Sequence, residues 1–144
     1  MKINSKSRYG LRTMIEIASS TEPYGMLQKD IAKNQNISLK YLDPIIAALK
    51  LKGLIANSRG RGSGYLLARP VEEITMFDIY TAFEEIDIVE CINNCSSCER
   101  ITHDCKAQNY WNEFRVEFCN ILKKKNLAQI MKETYYECNK AENP

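Results

Sequence analysis

The chain has 144 residues, of which 44% are hydrophobic and 26% are charged, as in an ordinary folded domain. Its net charge of +2 excludes a uniformly basic nucleic-acid coat and an acidic disordered tail. No apolar run approaches the roughly 18 residues that cross a bilayer. Residues 1–5 begin no signal peptide, so we expect a cytoplasmic protein with reduced thiols and no membrane partner.

The charge is divided unevenly along the chain. Residues 1–70 contain 12 basic and 4 acidic residues, a net charge of +8. Residues 71–144 contain 8 basic and 14 acidic residues, a net charge of −6. This division predicts a half that binds a polyanion, joined to a half with another task.

The first half of the chain predicts three successive helices. The first is expected at Ser7–Ser19, the second at Leu27–Asn34, and the third begins after Ser38, a good N-cap, and ends at Gly53. Apolar residues recur at helical spacing on the first and third helices: Leu11, Met14, Ile15 and Ala18, and Leu42, Ile45, Ile46 and Leu49.

Pro44 leaves two boundaries open for the third helix. It can lie inside a longer, bent helix capped by Ser38, or take the first helical position after an Asp43 cap. We favour the longer helix. A glycine-rich hairpin then follows, with strands predicted at Leu54–Ser58 and Tyr65–Leu67.

The second half predicts helices around a cysteine-bearing loop. Thr75 and Asp78 form a capping box that opens a helix to about Phe83. Beyond the loop, a long helix and a short one from Leu127 carry apolar stripes: Trp111, Phe114, Phe118, Ile121 and Leu122, then Ile130, Met131 and Tyr135. We expect a DNA-binding domain at 1–84, a sensor loop at 85–106, a dimerisation helix and C-terminal helix at 107–136, and a tail at 137–144.

Three helices followed by a two-stranded hairpin are the order of a winged helix–turn–helix, so the predicted fold class is mainly α. In such a fold the third helix reads the major groove of double-stranded DNA and the hairpin, or wing, contacts the duplex nearby. The predicted major-groove residues are Ser38, Lys40, Tyr41 and Pro44. Arg59 and Arg61 at the wing tip are predicted to enter the minor groove, with Lys2, Lys6 and Arg8 on phosphates.

Four cysteines fall within fifteen residues: Cys91, Cys95, Cys98 and Cys105. His103, the one histidine of the chain, lies among them. Thiols with short spacers in a loop can converge on zinc or an iron–sulfur cluster, and Cys95 and Cys98 alone could act as a redox dithiol. Cys119 is expected to pack on the long helix, and Cys138 near the C-terminus has no assigned role.

Four segments of the sequence resemble the Rrf2 family of bacterial transcription regulators, whose branches include IscR, NsrR and CymR. They are Ser5–Arg12, Ile37–Leu42, Leu49–Leu54 and Ser58–Leu67. The resemblance implies a homodimer that binds operator DNA near the nucleoid, with residues 107–125 as the dimerisation helix. It implies no enzymatic activity and no small-molecule substrate.

The resemblance also selects among the cysteines. Cluster-binding members have three evenly spaced cysteines, the third six residues before a tryptophan, as Cys105 stands before Trp111. Counting back gives Cys98 and Cys91, with each gap one residue longer than the family's usual spacing.

The residues that supply the fourth ligand in the IscR and NsrR branches are both absent from their positions in this sequence. Gln108 occupies the position of the IscR-branch histidine, and Arg8 that of the NsrR-branch aspartate. Cys95 is therefore our first candidate, ahead of His103.

The predicted function is a transcription regulator, a repressor or an activator, that senses redox state, nitric oxide or iron–sulfur status. A [2Fe–2S] or [4Fe–4S] cluster is favoured over zinc. Acidic residues near the loop would lower a cluster's reduction potential: Asp87, Glu90, Glu99 and Asp104. The alternatives are the same regulator controlled by zinc, by thiols or by a partner protein, and a thiol oxidoreductase. The oxidoreductase is disfavoured because no βαβ pattern surrounds the dithiol.

Overall fold

Three helices and a two-stranded hairpin form the first part of the fold. The computed structural model describes residues 2–60, 62–94, 98 and 105–133. Helices α1, α2 and α3 span Ser5–Ser19, Gln28–Gln35 and Leu39–Leu51. Strands β1, Ile55–Asn57, and β2, Tyr65–Leu67, pair in antiparallel register. This arrangement is the predicted winged helix–turn–helix.

Local side-chain and backbone preferences set the boundaries of these helices. The Asn4 side chain accepts a hydrogen bond from the Ser7 N–H at 2.9 Å, which starts α1 two residues earlier than predicted. Asn36 ends α2 in the left-handed conformation, and Gly53 does the same after α3, with φ of 53° and 70°. Pro44 lies inside α3, as we favoured.

The wing is fastened to the loop between α1 and α2. Met26 and Tyr65 exchange backbone hydrogen bonds of 3.0 and 2.8 Å, forming an isolated bridge beside β2. A Cβ atom on Gly64 would lie 2.4 Å from the Met26 carbonyl carbon, so only glycine permits this approach. The hairpin therefore has a fixed base.

The second part of the fold is helical. A 3-10 turn spans Val71–Glu73, and the helices α4, α5, α6 and α7 span Met76–Tyr80, Glu90–Asn93, Lys106–Lys123 and Leu127–Lys132. The Thr75–Asp78 capping box is present at the start of α4. This helix ends at Tyr80 and continues as turns to Phe83, where the sequence predicted helix. Tyr135, Cys138 and residues 137–144 lie outside the described residues.

A single core joins the two parts. Met14, Ile31, Leu42 and Leu49 are fully buried in it together with Leu127 of α7. The Leu127 N–H donates to the Ile74 carbonyl at 2.7 Å, so the C-terminal helix is packed against the winged domain. None of the helices in the described ranges is long and apolar enough to cross a membrane.

Helix α1 buries a different face from the one its apolar pattern predicted. Ser7, Gly10, Thr13, Met14 and Ile17 are its buried residues. The predicted stripe shares only Met14 with this set. Its other members pack at the edge of the core as partly buried side chains: Leu11, Ile15 and Ala18.

Candidate nucleic-acid interface and cysteine segment

The N-cap and first two turns of α3 present predicted DNA-facing residues to solvent. Ser38, Lys40 and Pro44 are exposed. The Ser38 hydroxyl oxygen accepts from the Tyr41 N–H at 3.1 Å, which fixes the turn and leaves the hydroxyl hydrogen for an outside acceptor. Three of the four α3 residues predicted to face DNA therefore lie at the surface.

Tyr41, the fourth, is half-buried and bonded to α1. Its hydroxyl donates to Ser5 Oγ at 2.8 Å, and its ring packs edge-to-face on Tyr9 with centroids 5.6 Å apart. Tyr41 can therefore offer an outside partner only its oxygen, whereas the exposed Ser5 keeps its hydroxyl hydrogen. Ser5 was not among the residues predicted to face DNA; the available signal was Asn4, an N-cap residue type directly before it.

A hydrogen-bonded chain of side chains joins the wing to α3. The Tyr65 hydroxyl donates to Gln28 Oε1 at 3.0 Å, and Gln28 Nε2 donates to the exposed carboxylate of Asp43. The Lys50 ammonium lies 6.0 Å from the centre of the Tyr65 ring. Gln28, the first residue of α2, thus connects β2 with α3, a role that no sequence pattern predicted.

The wing tip has open space around Gly60 and Gly62: no atom lies within 4 Å of a Cβ built on either glycine. Both glycines have positive φ, 109° and 72°. Arg59 is exposed beside them, where its guanidinium can reach a groove. Arg61, the other predicted minor-groove residue, lies outside the described residues.

The basic side chains near these elements face solvent, and none of them forms an ion pair with a carboxylate of another described residue. Lys2, Lys6, Arg8, Lys40 and Arg59 are all exposed. Within the described ranges, ion pairs form elsewhere, between Arg69 and Asp78 at 3.6 Å and between Lys125 and Glu133. These five cations are therefore available to an external polyanion such as DNA.

The cysteine segment, residues 87–106, begins after the winged domain and ends where α6 starts. Cys91 lies in α5, and Cys105 is the N-cap of α6. Both are half-buried free thiols, as is Cys98 between them. Cys95 and His103, the two candidates for a fourth ligand, lie outside the described residues. Cys119 is a half-buried free thiol on α6.

The chemistry of the donor set suits a soft metal or an iron–sulfur cluster, because thiolates are the ligands that these centres share. Among the described residues, however, no three His, Cys, Asp or Glu side chains converge as a metal-binding group. Cys91, Cys98 and Cys105 would have to move closer together to share a centre.

Gln108 connects the cysteine segment to α6. Its side-chain amide donates to the backbone carbonyl of Cys91 at 3.1 Å. The amide nitrogen acts here as a hydrogen-bond donor, and it has no lone pair available to bind a metal. The residue at the IscR-branch histidine position therefore braces the backbone that carries the first predicted ligand.

Helix α6 exposes most of its apolar residues. Leu122 is buried, and Phe118 packs on Tyr80 of α4. The exposed side chains are Tyr110, Trp111, Phe114, Val116 and Ile121. Tyr110, Trp111 and Phe114 form an edge-to-face series with centroid distances of 5.3 and 6.2 Å. An exposed apolar surface of this kind is typical of a protein–protein contact.

Comparison with known proteins identifies the family. Residues 3–133 match Rrf2, described as "Iron-dependent Transcriptional regulator". The chain belongs to the Rrf2 family. It is 34% identical over 134 residues to "Protein rrf2" of Nitratidesulfovibrio vulgaris, a match that covers 92% of this chain and 89% of the relative.

Two solved Rrf2-type structures share the fold. The structure of IscR from T. potens has a TM-score of 0.72 at 26% identity, covering 92% of this chain and 87% of that one. CymR, the global cysteine regulator of B. subtilis, has a TM-score of 0.74 at 29% identity, covering 94% and 99%. The predicted family and fold class are both confirmed.

Membership of the Rrf2 family also decides the broad class of activity. The family is described as one of transcriptional regulators and CymR as a regulator, and this chain is accordingly a regulator and not an enzyme. The thiol oxidoreductase alternative is thereby excluded. Rrf2 membership alone leaves the form of control open, since the similar structures include both IscR and CymR.

Proposed function

We propose that this chain is a homodimeric regulator that binds operator DNA through α1, α3 and the wing, under the control of an iron–sulfur cluster in the cysteine segment. The observation that carries the proposal is the side-chain connection of the three DNA-facing elements. Tyr41 bonds α3 to α1 through Ser5, and Gln28 bonds α3 to the wing. A preorganised surface of this kind binds a duplex with little loss of conformational freedom.

The DNA contacts follow from exposure and chemistry. Ser38, Lys40 and Pro44 would face base edges in the major groove, with Tyr41 contributing its hydroxyl oxygen. Arg59 and Arg61 would enter the minor groove, where a narrow groove has an enhanced negative potential. Ser5 and the N-terminal cations would contact phosphates: Lys2, Lys6 and Arg8.

The homodimer would form through α6. Its exposed aromatic series and Ile121 offer a surface that a second copy can bury with two-fold symmetry. Each protomer would contribute one α3, and the two helices would lie on the same side of the dimer, where they could enter successive major grooves. The acidic balance of residues 71–144 favours the placement of this half away from the phosphates.

The cluster would be held by Cys91, Cys98 and Cys105, with Cys95 ahead of His103 as the fourth ligand. When bound, the cluster supplies a centre that gains or loses an electron, or breaks down, in response to redox state, nitric oxide or iron supply. The family description as iron-dependent supports an iron centre over zinc. Ligand convergence would pull on α5 and on the first turn of α6, and so couple the centre to the dimer helix.

Anaerobic purification tests the cluster directly. We expect a coloured protein with iron and inorganic sulfide, and a change in DNA affinity when the cluster is removed. The triple substitution of Cys91, Cys98 and Cys105 by Ser should abolish the colour, whereas Cys119→Ser should leave it unchanged. Zinc alone, or identical DNA affinity with and without the cluster, would contradict cluster control.

A second candidate keeps DNA binding and replaces the cluster by zinc, thiol chemistry or a partner protein. Two observations favour it: the similarity to CymR, and the use of Gln108 as a donor to the Cys91 carbonyl where the IscR branch has a ligand. If the protein is purified without metal and the triple cysteine variant is regulated as well as the wild type, partner control is supported. Regulation that a thiol oxidant reproduces would instead support thiol control.

A further inference from the structure

Glu84 lies against the N-terminus of α1, although it is 80 residues from Asn4 in sequence. Its Oε1 accepts a hydrogen bond from Ser7 Oγ at 2.5 Å and from the Asn4 backbone N–H at 3.4 Å. Ser7 is fully buried, so the hydroxyl end of this bond is shielded from water. A carboxylate is also favoured near a helix N-terminus by the helix dipole, and α1 is a 15-residue helix.

The same carboxylate contacts a residue that packs on α6. Burial raises the pKa of Tyr80, and the negative charge of Glu84 and a hydrogen bond to it raise that pKa further. The Tyr80 ring meets Phe118 of α6 edge-to-face, with centroids 5.7 Å apart. Glu84 therefore lies between the start of α1 and the contact of α4 with α6.

Phe83 fastens the same stretch of chain to α1 by close packing. A Cβ atom on Gly10 would lie 2.2 Å from Phe83 Cε2, so the ring occupies the space that any other residue at position 10 would fill. Phe83 and Glu84 are the last residues of the predicted winged domain before residues 85–106. The chain that leads into the cysteines is thus fixed to α1 at two adjacent points.

The start of α1 is in turn bonded to α3. Ser5, which lies between Asn4 and Ser7, accepts the hydrogen bond from the Tyr41 hydroxyl at 2.8 Å. A shift of the first turn of α1 would displace Ser5 and with it the partner of Tyr41. The Tyr41 N–H also donates to the Ser38 cap of α3. Tyr41 therefore belongs both to the contact with α1 and to the turn predicted to face DNA.

We infer that Glu84 is a positioning residue for DNA binding: it fixes the first turn of α1, and the Ser5–Tyr41 hydrogen bond transmits that position to α3. This inference rests on the proposed DNA-binding function. It assigns to Glu84 the link between the segment that carries the cysteines and the helix that reads DNA. The physical coupling runs through five named residues, Glu84, Asn4, Ser7, Ser5 and Tyr41, which makes it testable by substitution.

The first experiment compares Glu84→Ala with Glu85→Ala in the full-length protein. Both remove one negative charge from adjacent positions, and Glu85 is exposed. Loss of an acid by itself should leave DNA affinity equal or slightly higher, because repulsion of phosphates falls. We expect Glu84→Ala to lower affinity about tenfold for a labelled duplex selected from a randomised pool by the wild-type protein. Equal behaviour of the two variants would overturn the inference.

The second experiment asks whether the effect passes through Tyr41. In a double-mutant cycle with Tyr41→Phe, which removes the donor to Ser5, the DNA-affinity effect of Glu84→Ala should shrink. Full additivity would contradict the proposed route. Hydrogen exchange should show faster exchange at residues 4–9 in Glu84→Ala and unchanged exchange in Glu85→Ala.

Glu84→Gln keeps the test usable if the alanine variant fails to fold. The amide oxygen that this substitution introduces can still accept a hydrogen bond from Ser7. The Glu84→Gln variant should therefore retain more DNA affinity than a folded Glu84→Ala variant. If Glu84→Ala does not fold, Glu84→Gln should still fold and bind DNA. A Glu84→Gln variant that folds and binds no better than a folded Glu84→Ala would argue against hydrogen bonding as the cause. Wild-type protein that selects no duplex would contradict the proposed function, whereas a binding protein indifferent to position 84 would contradict only the inference.

Discussion

Gln28 donates its side-chain amide to the carboxylate of Asp43, which fixes an acidic side chain on the exposed face of α3. The oxygen of that amide accepts a hydrogen bond from the Tyr65 hydroxyl, so the Gln28 amide group cannot rotate without breaking a hydrogen bond. The wing and α3 thereby have a defined relative position through a residue that belongs to neither. Asp43 would otherwise be free to approach phosphates and repel them.

We predict that Gln28→Met weakens DNA binding more than it weakens the fold. Methionine has a similar length but neither hydrogen-bonding group, so the wing and Asp43 lose their connection. The loss of stability should be about 1 kcal/mol, because the hydrogen bonds are partly exposed. Fluorescence anisotropy and thermal unfolding measure the two effects. Tyr65→Phe removes only the hydrogen bond to the wing and should give a smaller loss of DNA affinity. Unchanged affinity in both variants would contradict the role of Gln28 in positioning the wing.

Replacement of Arg59 by Ala should lower DNA affinity and reduce the slope of log affinity against log salt by about 1, as expected for one lost ionic contact. The matched control is Lys132→Ala, an exposed cation in α7 that changes the net charge equally. The control should leave the salt slope unchanged. Equal slopes for both variants would mean that only net charge matters and that the wing tip does not touch DNA.

Two glycines separate steric from conformational effects on stability. At Gly10 a Cβ would collide with Phe83, whereas at Gly53 the space is empty but φ is 70°. Gly10→Ala should therefore lower the free energy of unfolding by about 1–3 kcal/mol through overpacking, and Gly53→Ala by roughly 1 kcal/mol through backbone strain. Denaturant unfolding measures both. Phe83→Leu should partly rescue Gly10→Ala and should have no such effect on Gly53→Ala.

The pH dependence of stability should contain a contribution from Asp78. Burial raises the pKa of this carboxyl, but hydrogen bonds from Thr75 and the charge of Arg69 lower it by more, so its net pKa lies below the ordinary value. A pKa that is lower in the folded state stabilises the fold above about pH 4, and this stabilisation is lost as the pH falls through the folded pKa. Asp78→Asn should cost about 1 kcal/mol at neutral pH. The difference from wild type should narrow in acid; a difference independent of pH would contradict the assignment.

The winged domain was predictable from sequence because its signals are local. Ser38 as a cap, Gly53 as a stop and the Thr75–Asp78 capping box each depend on residues a few positions apart. The buried face of α1 was not predictable, because Gly10 and Ser7 are covered by Phe83 and Glu84, more than 70 residues away. A small or polar residue gives no apolar signal, so hydrophobic periodicity selected the neighbouring stripe.

The side-chain connections between elements were likewise outside the reach of sequence patterns. Nothing local indicates that Gln28 bonds to Asp43 or Tyr41 to Ser5, since both depend on how α1, α2 and α3 pack. Cysteine spacing indicated a metal or iron–sulfur centre because short spacers limit the distance between thiols. Which of them converge is set by the backbone, and Cys95, His103 and Arg61 stay predictions.

The exposed apolar side of α6 leads to a final prediction about assembly. Ile121 is 66% exposed in the isolated chain, and burial of such a side chain by a second copy would contribute about 1.5–3 kcal/mol. Ile121→Asp should therefore shift the proposed dimer to monomer in sedimentation velocity, with helix content unchanged by circular dichroism. Asn120→Asp adds the same charge about 100° around the helix and should leave the dimer intact. In the proposed dimer, two linked copies of α3 would bind two half-sites together. The monomeric variant should therefore bind a palindromic duplex with strongly reduced affinity, while its affinity for a single half-site changes little.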